Sequence, residues 1–103
     1  MTPVIVLTTV GATFDPQPLA LQLVEKRLAA CVNIVPQVHS VYRWQGNIES
    51  DSEQLLLIKT VEERLGELKT ALFAMHPYEV PEFVVLRPAE LSDAYRSWLL
   101  SAV

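Results

Sequence analysis

The sequence predicts an α+β fold of the ferredoxin-like type, in which two main helices lie on one face of a four-stranded sheet. Two observations lead to this prediction. Strand-like and helix-like apolar patterns alternate in the order β α β β α β, and one short helix follows. The second and third strands are joined by a hairpin between two βαβ-type units, which gives a split sheet. At 103 residues the chain is expected to form a single domain, residues 1–103.

The first unit is a strand followed by its crossover helix. Residues 3–10 are apolar on both faces and rich in β-branched side chains, as in a central strand that is covered on both sides. Gly11 is predicted to end this strand, and Asp15 to cap a helix that begins at Pro16. The stripe of this helix that faces the core is predicted to be Ala20, Val24, Leu28 and Cys31, and Leu21 and Leu23 are predicted to widen it.

The second and third strands form a hairpin whose arms are longer than most strands. Residues 32–60 turn back at Gln45, Gly46 and Asn47, because Gly46 supplies the positive φ of a tight turn and Asn47 tolerates it. Pro36 has no backbone N–H, so the first arm is predicted to be an edge strand or to carry a bulge. Arms of this length are expected to reach past their own domain toward other copies of the chain.

The remaining elements repeat the strand and helix pattern. A capping box at residues 60–63 is predicted to open a second helix that His76 ends. Residues 83–86 form the fourth strand, and Ser92 is predicted to cap a short final helix. The apolar stripe of the second helix is predicted to be Leu65, Leu68, Leu72 and Met75. The final helix is predicted to turn Tyr95, Trp98, Leu99 and Ala102 toward the body, with Trp98 in the core.

The composition predicts an assembly larger than one chain. Hydrophobic residues make up 50% of the sequence and charged residues only 19%, which is apolar for so small a domain. Three strands are apolar on both faces, whereas the two main helices cover only one face. Because monomers rarely leave so large an apolar patch in water, we expect the second face to pack against sister subunits in a closed ring.

Charge and targeting patterns exclude several classes of function. A net charge of −4 with scattered basic residues argues against a nucleic-acid partner. The sequence has no long apolar run, so we expect no membrane span. It has no basic leader, so we expect no signal peptide. A single cysteine allows no internal disulfide and favours a cytoplasmic location. Nucleotide loops and nucleophile motifs are missing, so we expect no enzyme, no catalytic residues and no organic cofactor.

Two groups of side chains are candidate metal ligands. His76, Glu79 and Glu82 concentrate an imidazole and two carboxylates in a segment that two prolines stiffen, and such a set favours Cu(II) among divalent ions. Cys31 is a soft ligand that also suits copper. The alternative interpretations are structural. His76 would then interact with the last carbonyls of its helix, and Cys31 would be a small buried hydrophobe on or at the end of the first helix.

Four blocks of sequence resemble the CutA family, the divalent-cation tolerance proteins. The blocks are RLAACVN at 27–33, SVYRWQG at 40–46, LLLIKT at 55–60 and HPYEVPE at 76–82. The resemblance implies a ferredoxin-like subunit in a tight homotrimer shaped like the PII signalling proteins. It also implies tolerance to copper and other divalent cations, with metal binding attributed partly to cysteines. Cys31 is the one cysteine here, which excludes a multi-thiolate site within one subunit.

By analogy with PII proteins, the resemblance further implies a cleft between subunits. The residues expected along it are His39, Tyr42, Arg43, Trp44, Lys59 and Tyr78. The alternative is that Tyr42 and Trp44 pack in the interface, whereas Arg43 and Lys59 are solvated or ion-paired.

The sequence therefore predicts a cytoplasmic homotrimer that binds a divalent metal ion, copper first, in metal tolerance. A rival hypothesis is a PII-like trimeric scaffold or signalling protein that binds a small ligand or a partner protein in its intersubunit clefts, without metal chemistry. An enzymatic hypothesis requires catalytic residues that come together only in a cleft between subunits, where motifs within one chain would not reveal them. The sequence identifies no other protein partner.

Overall fold

The computed structural model describes residues 1–103 and has the predicted order of elements. The elements are β1 (Pro3–Gly11), α1 (Gln17–Glu25), β2 (Cys31–Trp44), β3 (Asn47–Val61), α2 (Leu65–Met75), β4 (Val84–Leu86) and α3 (Asp93–Ser101), with a short 3-10 turn at Glu62–Arg64 before α2. The strands form one antiparallel sheet in the order β2-β3-β1-β4, so β1 and β3 are central, as in a ferredoxin-like split sheet. The predicted fold class is confirmed.

The hydrophobic core lies between one face of the sheet and the helices α1 and α2. Each of its large side chains contributes about 1.5–3 kcal/mol by leaving water, so this contact is the main source of stability. The buried side chains are Val6 and Val10 of β1, Leu56 and Ile58 of β3, Leu19 and Leu23 of α1, Leu28 and Ala29 after α1, and Leu68 and Leu72 of α2.

The predicted inward stripe of α1 is right at Leu23 and wrong at Val24 and Leu21. Leu19 and Leu23 are the buried residues of the helix, whereas Val24 is 40% and Leu21 is 60% exposed. Leu28 is buried as predicted, but the helix ends at Glu25, so neither Leu28 nor Cys31 belongs to it, and Cys31 is the first residue of β2.

Arg27 stops α1 by adopting a left-handed conformation with a φ of 57°. The N–H of Arg27 bonds the carbonyl of Val24 at 3.0 Å, and the N–H of Leu28 bonds the carbonyl of Leu23 at 3.0 Å. These two bonds form a Schellman motif, in which the left-handed residue is usually glycine. A residue with a Cβ is strained in this conformation.

Both predicted helix starts differ in detail. Oδ1 of Asp15 accepts the N–H of Gln17 at 3.1 Å, but α1 begins one residue later than predicted. The capping box before α2 does not form. Thr60 is buried in β3 and its hydroxyl donates to the carbonyl of Leu28 at 2.7 Å, which fastens the end of β3 to the segment that enters β2.

The predicted hairpin is confirmed, with a shorter turn. Trp44 pairs with Asn47, so the loop consists of Gln45 and Gly46, whose φ values are 49° and 83°. Two consecutive positive φ values are typical of a type I′ turn, which matches the twist of the flanking strands. Asn47 starts β3 and is not the second left-handed residue.

Pro36 marks a β-bulge in the edge strand β2. The register of β2 against β3 shifts between Val35 and Val38, so that two residues of β2 lie opposite Gln54. Both sequence expectations for this proline are confirmed, because β2 is an edge strand and also carries the bulge.

From Glu53 toward the tip of the hairpin, β2 and β3 form a ribbon of two strands, and we refer to this part as the ribbon beyond Glu53. The pairing of β1 with β3 ends at the contact of Gly11 with Glu53, and the rest of the hairpin has no other strand beside it. The molecule is correspondingly elongated, at 44 × 27 × 23 Å. Two-stranded ribbons are marginal by themselves in water, so this part of the chain depends on further contacts.

The second face of the sheet carries no main helix, and we call it the open face. Cross-strand pairing places alternate residues of each strand on it, odd-numbered in β1 and β3 and even-numbered in β4, while β2 changes from odd to even at its bulge. Val84 and Leu86 on it are 42% and 45% exposed. Its large apolar side chains are Ile5, Leu7, Val35, Leu55, Leu57, Val84 and Leu86.

The C-terminal helix α3 contacts the N-terminal half of β1 and the end of β3. Leu99 is its buried residue, whereas Trp98 is 45% exposed and packs beside Tyr95. The prediction that Trp98 lies in the core is therefore wrong for the single chain, because α3 turns only one residue fully inward. None of the helices is long and apolar enough to cross a membrane.

Replacing Arg27 with glycine is expected to stabilise the fold. Arg27→Gly relieves the left-handed strain and should exceed Arg27→Ala by about 1 kcal/mol in the free energy of unfolding, as measured by urea denaturation. Both variants lose the 3.4 Å bond from Arg27 to the carbonyl of Ser101, so their difference isolates the Cβ. Equal stability of the two variants would contradict the assigned conformation.

Candidate functional site

The loop after α2 connects that helix to the base of the hairpin ribbon. β4 pairs with β1 only at residues 5–7. Beyond that point, the side chains of His76 and Tyr78 reach β1 and β3 instead. The segment 76–82, which carries most of the candidate ligands, therefore lies beside the free edge of β1.

His76 is held through both nitrogens of its ring. Nδ1 accepts the backbone N–H of Tyr78 at 3.1 Å, so the proton of the neutral ring is on Nε2. Nε2 lies 2.9 Å from the carbonyl oxygen of Thr9 and 3.1 Å from Oγ1 of Thr8. Burial lowers the pKa of His76, and the Thr9 carbonyl and the Glu53 carboxylate oppose that effect. Neither nitrogen has a free lone pair for a metal ion in this arrangement.

Tyr78 fastens the loop to the base of the ribbon. Its hydroxyl donates to Oε2 of Glu53 at 2.5 Å, and Glu53 is only 8% exposed. Burial, followed by the bond to Glu53, raises the pKa of Tyr78. The neighbouring Gln54 donates from Nε2 to the carbonyls of Gly11 and Phe14 at 2.9 and 2.7 Å. Polar groups from the loop, β1 and β3 thus satisfy each other at this point.

A second pair of a tyrosine and a carboxylate lies further along the ribbon. The hydroxyl of Tyr42 donates to Oδ2 of Asp51 at 2.5 Å. This bond, together with the charges of Asp51, Glu53 and Glu49, raises the pKa of Tyr42 to about 12. The three carboxylates alternate along β3 and therefore lie on one face of the ribbon. Sequence reasoning missed Asp51 and Glu53, although the period-2 spacing of acids in residues 49–53 was the available signal.

The structure does not gather the predicted metal ligands within one chain. No group of three or more His, Cys, Asp or Glu side chains is close enough to hold a metal ion. Glu79 and Glu82 are exposed in the loop, and His76 is already fully hydrogen-bonded. Within a single chain these residues do not fit a metal centre, and their role as ligands stays a prediction.

Cys31 lies at the start of β2 on the open face. It is half-buried, and its thiol makes one long contact, 3.6 Å from Oδ1 of Asn33. Its placement on the inner stripe of α1 is wrong, because Arg27 ends that helix before it. Its role as a copper ligand stays a prediction.

The residues predicted to line an intersubunit cleft fall into three places. Tyr42 and Trp44 lie on the ribbon face that carries the carboxylates, and Tyr78 lies at the base of the same face. His39 and Arg43 lie on the opposite ribbon face and are exposed. Lys59 lies at the far end of the sheet, where its Nζ is 5.7 Å from the ring centroid of Tyr95. Whether another subunit closes a cleft over them stays a prediction.

The pH dependence of stability should reveal the buried His76. Because its folded pKa is lowered, the unfolded chain binds more protons, and the free energy of unfolding should fall as pH decreases through about 6.5. Urea denaturation at about pH 7.5 and about pH 5.5 measures this loss. His76→Gln should abolish most of it, whereas His39→Gln, at the exposed second histidine, should retain it. An equal loss in both variants would contradict the burial of the neutral ring.

Comparison with known proteins agrees with this architecture. Residues 4–102 match the family described as CutA1 divalent ion tolerance protein. The chain is 50% identical over 95 residues to the divalent-cation tolerance protein CutA of Thermus thermophilus, covering 92% of each sequence. It is 45% identical over 96 residues to the chloroplastic protein CutA of Arabidopsis thaliana, and there the match covers 93% of this chain and 53% of the relative.

A solved structure gives the same result. The divalent cation tolerance protein Cut A1 of Thermus thermophilus superposes with a TM-score of 0.93 at 46% identity, over 99% of each chain. The chain spans about half the length of the plant and mouse relatives that it matches. A match across residues 4–102, together with the shared fold, shows that this chain belongs to the CutA1 divalent ion tolerance protein family.

Proposed function

We propose that this protein is a cytoplasmic homotrimer that acts in divalent-cation tolerance by binding a divalent metal ion, copper first. Membership of the CutA1 family supports the general role. The proposed role is binding rather than catalysis. The proposed location rests on the single free cysteine, which suits a reducing compartment.

The open face is the observation that carries the proposal of a trimer. Its aliphatic side chains form a continuous patch across four strands, and Val84 and Leu86 on it are more than two fifths exposed. Contiguous apolar patches of this kind mark protein interfaces. The ribbon beyond Glu53 supports the same proposal, since it has no neighbour in its own chain. Sister subunits related by a closed symmetry would cover both features.

The mass in solution tests the assembly. Light scattering after size exclusion should give about three times the 11.6 kDa of one chain for the wild type. Leu57→Glu places a charge on the open face and should reduce the trimer fraction. Leu21→Glu is the matched control, because Leu21 is 60% exposed on α1 and away from that face, and it should leave the mass unchanged. A soluble, folded wild-type particle of 11.6 kDa would reject the proposal.

The availability of donor atoms suggests which residues take part in binding copper. The thiol of Cys31 is the soft ligand that the chain leaves nearly free, and the carboxylates of Glu79 and Glu82 are exposed. His76, by contrast, would have to give up at least the hydrogen bond that its Nδ1 accepts from the N–H of Tyr78. We therefore propose Cys31 as the first donor, with the loop carboxylates as further donors, and a site that draws on more than one subunit.

Anaerobic calorimetric titration with Cu(II) and Zn(II) tests the metal site. The wild type should bind Cu(II) more tightly than Zn(II), in the Irving–Williams order. Cys31→Ser should weaken Cu(II) binding at least about tenfold, and Glu79→Gln should weaken it less. His76→Gln should leave the affinity unchanged as long as the variant stays folded. Wild-type binding no tighter than about 1 mM would reject metal binding as the function.

A second candidate function is the binding of a small organic ligand by a PII-like trimeric scaffold. A cavity beside Lys59 favours it, because this cavity combines apolar walls with an unpaired cation. Cys31, the proposed first metal donor, pairs with Lys59 across β2 and β3, so the cavity lies next to that donor.

A further inference from the structure

A cavity of about 270 Å³ lies where α3 meets the sheet. It is bounded by the start of β1, the end of β3 and the segment that leads into α3. Ile5, Pro88, Leu91 and Leu99 form apolar walls, and the polar groups that reach it belong to Lys59, Glu90, Ser92 and Tyr95. Its size is slightly below that of typical drug-sized sites, so it suits a ligand of few heavy atoms.

Lys59 is the unusual member of this lining. It occupies the same parity of β3 as Leu55 and Leu57, so it lies on the apolar open face and is half-buried. The two ion pairs of the chain join Arg64 with Glu67 and Arg87 with Glu62, and neither involves Lys59. The ammonium of Lys59 is therefore available to form a charge-assisted hydrogen bond with an incoming anion.

The surroundings of the ammonium favour an anion with an apolar body. The ring of Tyr95 lies on one side of Nζ, at 5.7 Å from centroid to nitrogen, and holds it at the cavity. The hydroxyl of Ser92 does not cap α3, and it remains as a second donor in the lining. A carboxylate accepts from both an ammonium and a hydroxyl, and such charge-assisted bonds are the stronger ones.

We propose that this cavity binds a small carboxylate with an apolar body, the carboxylate on Lys59 and the body against Ile5, Leu91 and Leu99. This site rests on the second candidate function and names its ligand class. Cys31, the proposed first metal donor, pairs with Lys59 across β2 and β3, so the site is titrated in metal-free protein. Glu90 repels a plain carboxylate but would pair with the ammonium of a free amino acid. A plain carboxylic acid and a free amino acid both offer a carboxylate on an aliphatic body. Glu90 distinguishes them, because only the amino acid carries an ammonium.

Titration of the full chain with 4-methylpentanoate, followed by NMR and calorimetry, tests the proposal. The expected result is saturable binding, with shift changes at Lys59, Leu91 and Tyr95. The neutral 4-methylpentanamide should bind at least about tenfold more weakly, because it lacks the charge. Lys59→Met keeps the aliphatic stem and should lower the affinity for the carboxylate at least about tenfold, while leaving the affinity for the amide unchanged.

Lys69→Met is the matched control. Nζ of Lys69 also lies over aromatic rings, 5.6 Å from the centroids of Phe73 and Phe83, but outside the cavity. It changes the net charge by the same amount and should leave binding of 4-methylpentanoate unchanged. Unchanged binding by Lys59→Met, or an equal loss in Lys69→Met, would overturn the assignment of the anion to Lys59.

Glu90→Gln identifies the source of the carboxylate. It should strengthen binding of 4-methylpentanoate, because it removes a like charge from the cavity. If leucine binds the wild type more tightly than 4-methylpentanoate and Glu90→Gln weakens leucine, the site takes amino acids; the reverse pattern assigns plain carboxylates. Absence of saturation by about 10 mM of both probes would reject the site.

Discussion

The structure depends on a sheet that is apolar on both faces and has helices packed on only one of them. The central strands β1 and β3 are apolar on both faces, but α1 and α2 pack against only one. The covered face gives the chain its core. The open face keeps an aliphatic surface that no segment of the same chain covers, apart from the end beneath α3. Burial of apolar surface is the main driving force of both folding and association, so the same strands drive both processes.

The ribbon beyond Glu53 extends this lack of cover away from the core. Its two strands have no third strand beside them, and its polar side chains replace part of the missing contacts. Tyr78 bonds Glu53 at the base, and Tyr42 bonds Asp51 farther out. Both bonds join a phenol to a carboxylate, which makes them stronger than bonds between neutral groups. The bond from Tyr78 ties the base of the ribbon to the loop after α2, whereas the bond from Tyr42 joins the two strands of the ribbon to each other.

The sequence predicted the features that local chemistry determines. Pro36 predicted an edge strand with a bulge because a missing N–H acts at its own position, and His76 before a proline predicted the end of α2 for a similar reason. The left-handed conformation of Arg27 was not predictable from a residue type that usually avoids it. The assignment of Leu28 and Cys31 to α1 failed at the same place, because it assumed that the helix continued past Glu25.

The candidate site was predictable only in part, because its bonds join distant positions. Tyr78 was singled out, but its partner Glu53 is 25 residues away in sequence and becomes a neighbour only when the loop crosses the edge of β1. His76 was interpreted as a metal ligand, yet its ring meets Thr8 and Thr9, which precede it by 68 and 67 residues. Residue type indicated which side chains could act as ligands. The fold determined which of these side chains already hydrogen-bond within the chain.

The charges on the open side of the sheet are separated along its length. Asp51 and Glu53 lie at the ribbon end, whereas Lys59 lies at the end beneath α3, and the aliphatic side chains of Leu55 and Leu57 lie between them on β3. Opposite charges at this separation interact weakly through a surface that water and salt reach. The proposed metal donor Cys31 lies at the Lys59 end, because the two residues pair across β2 and β3, whereas the carboxylates of Asp51 and Glu53 lie at the other end of the same strand. One strand can in this way supply a core, an interface and two chemically distinct ends.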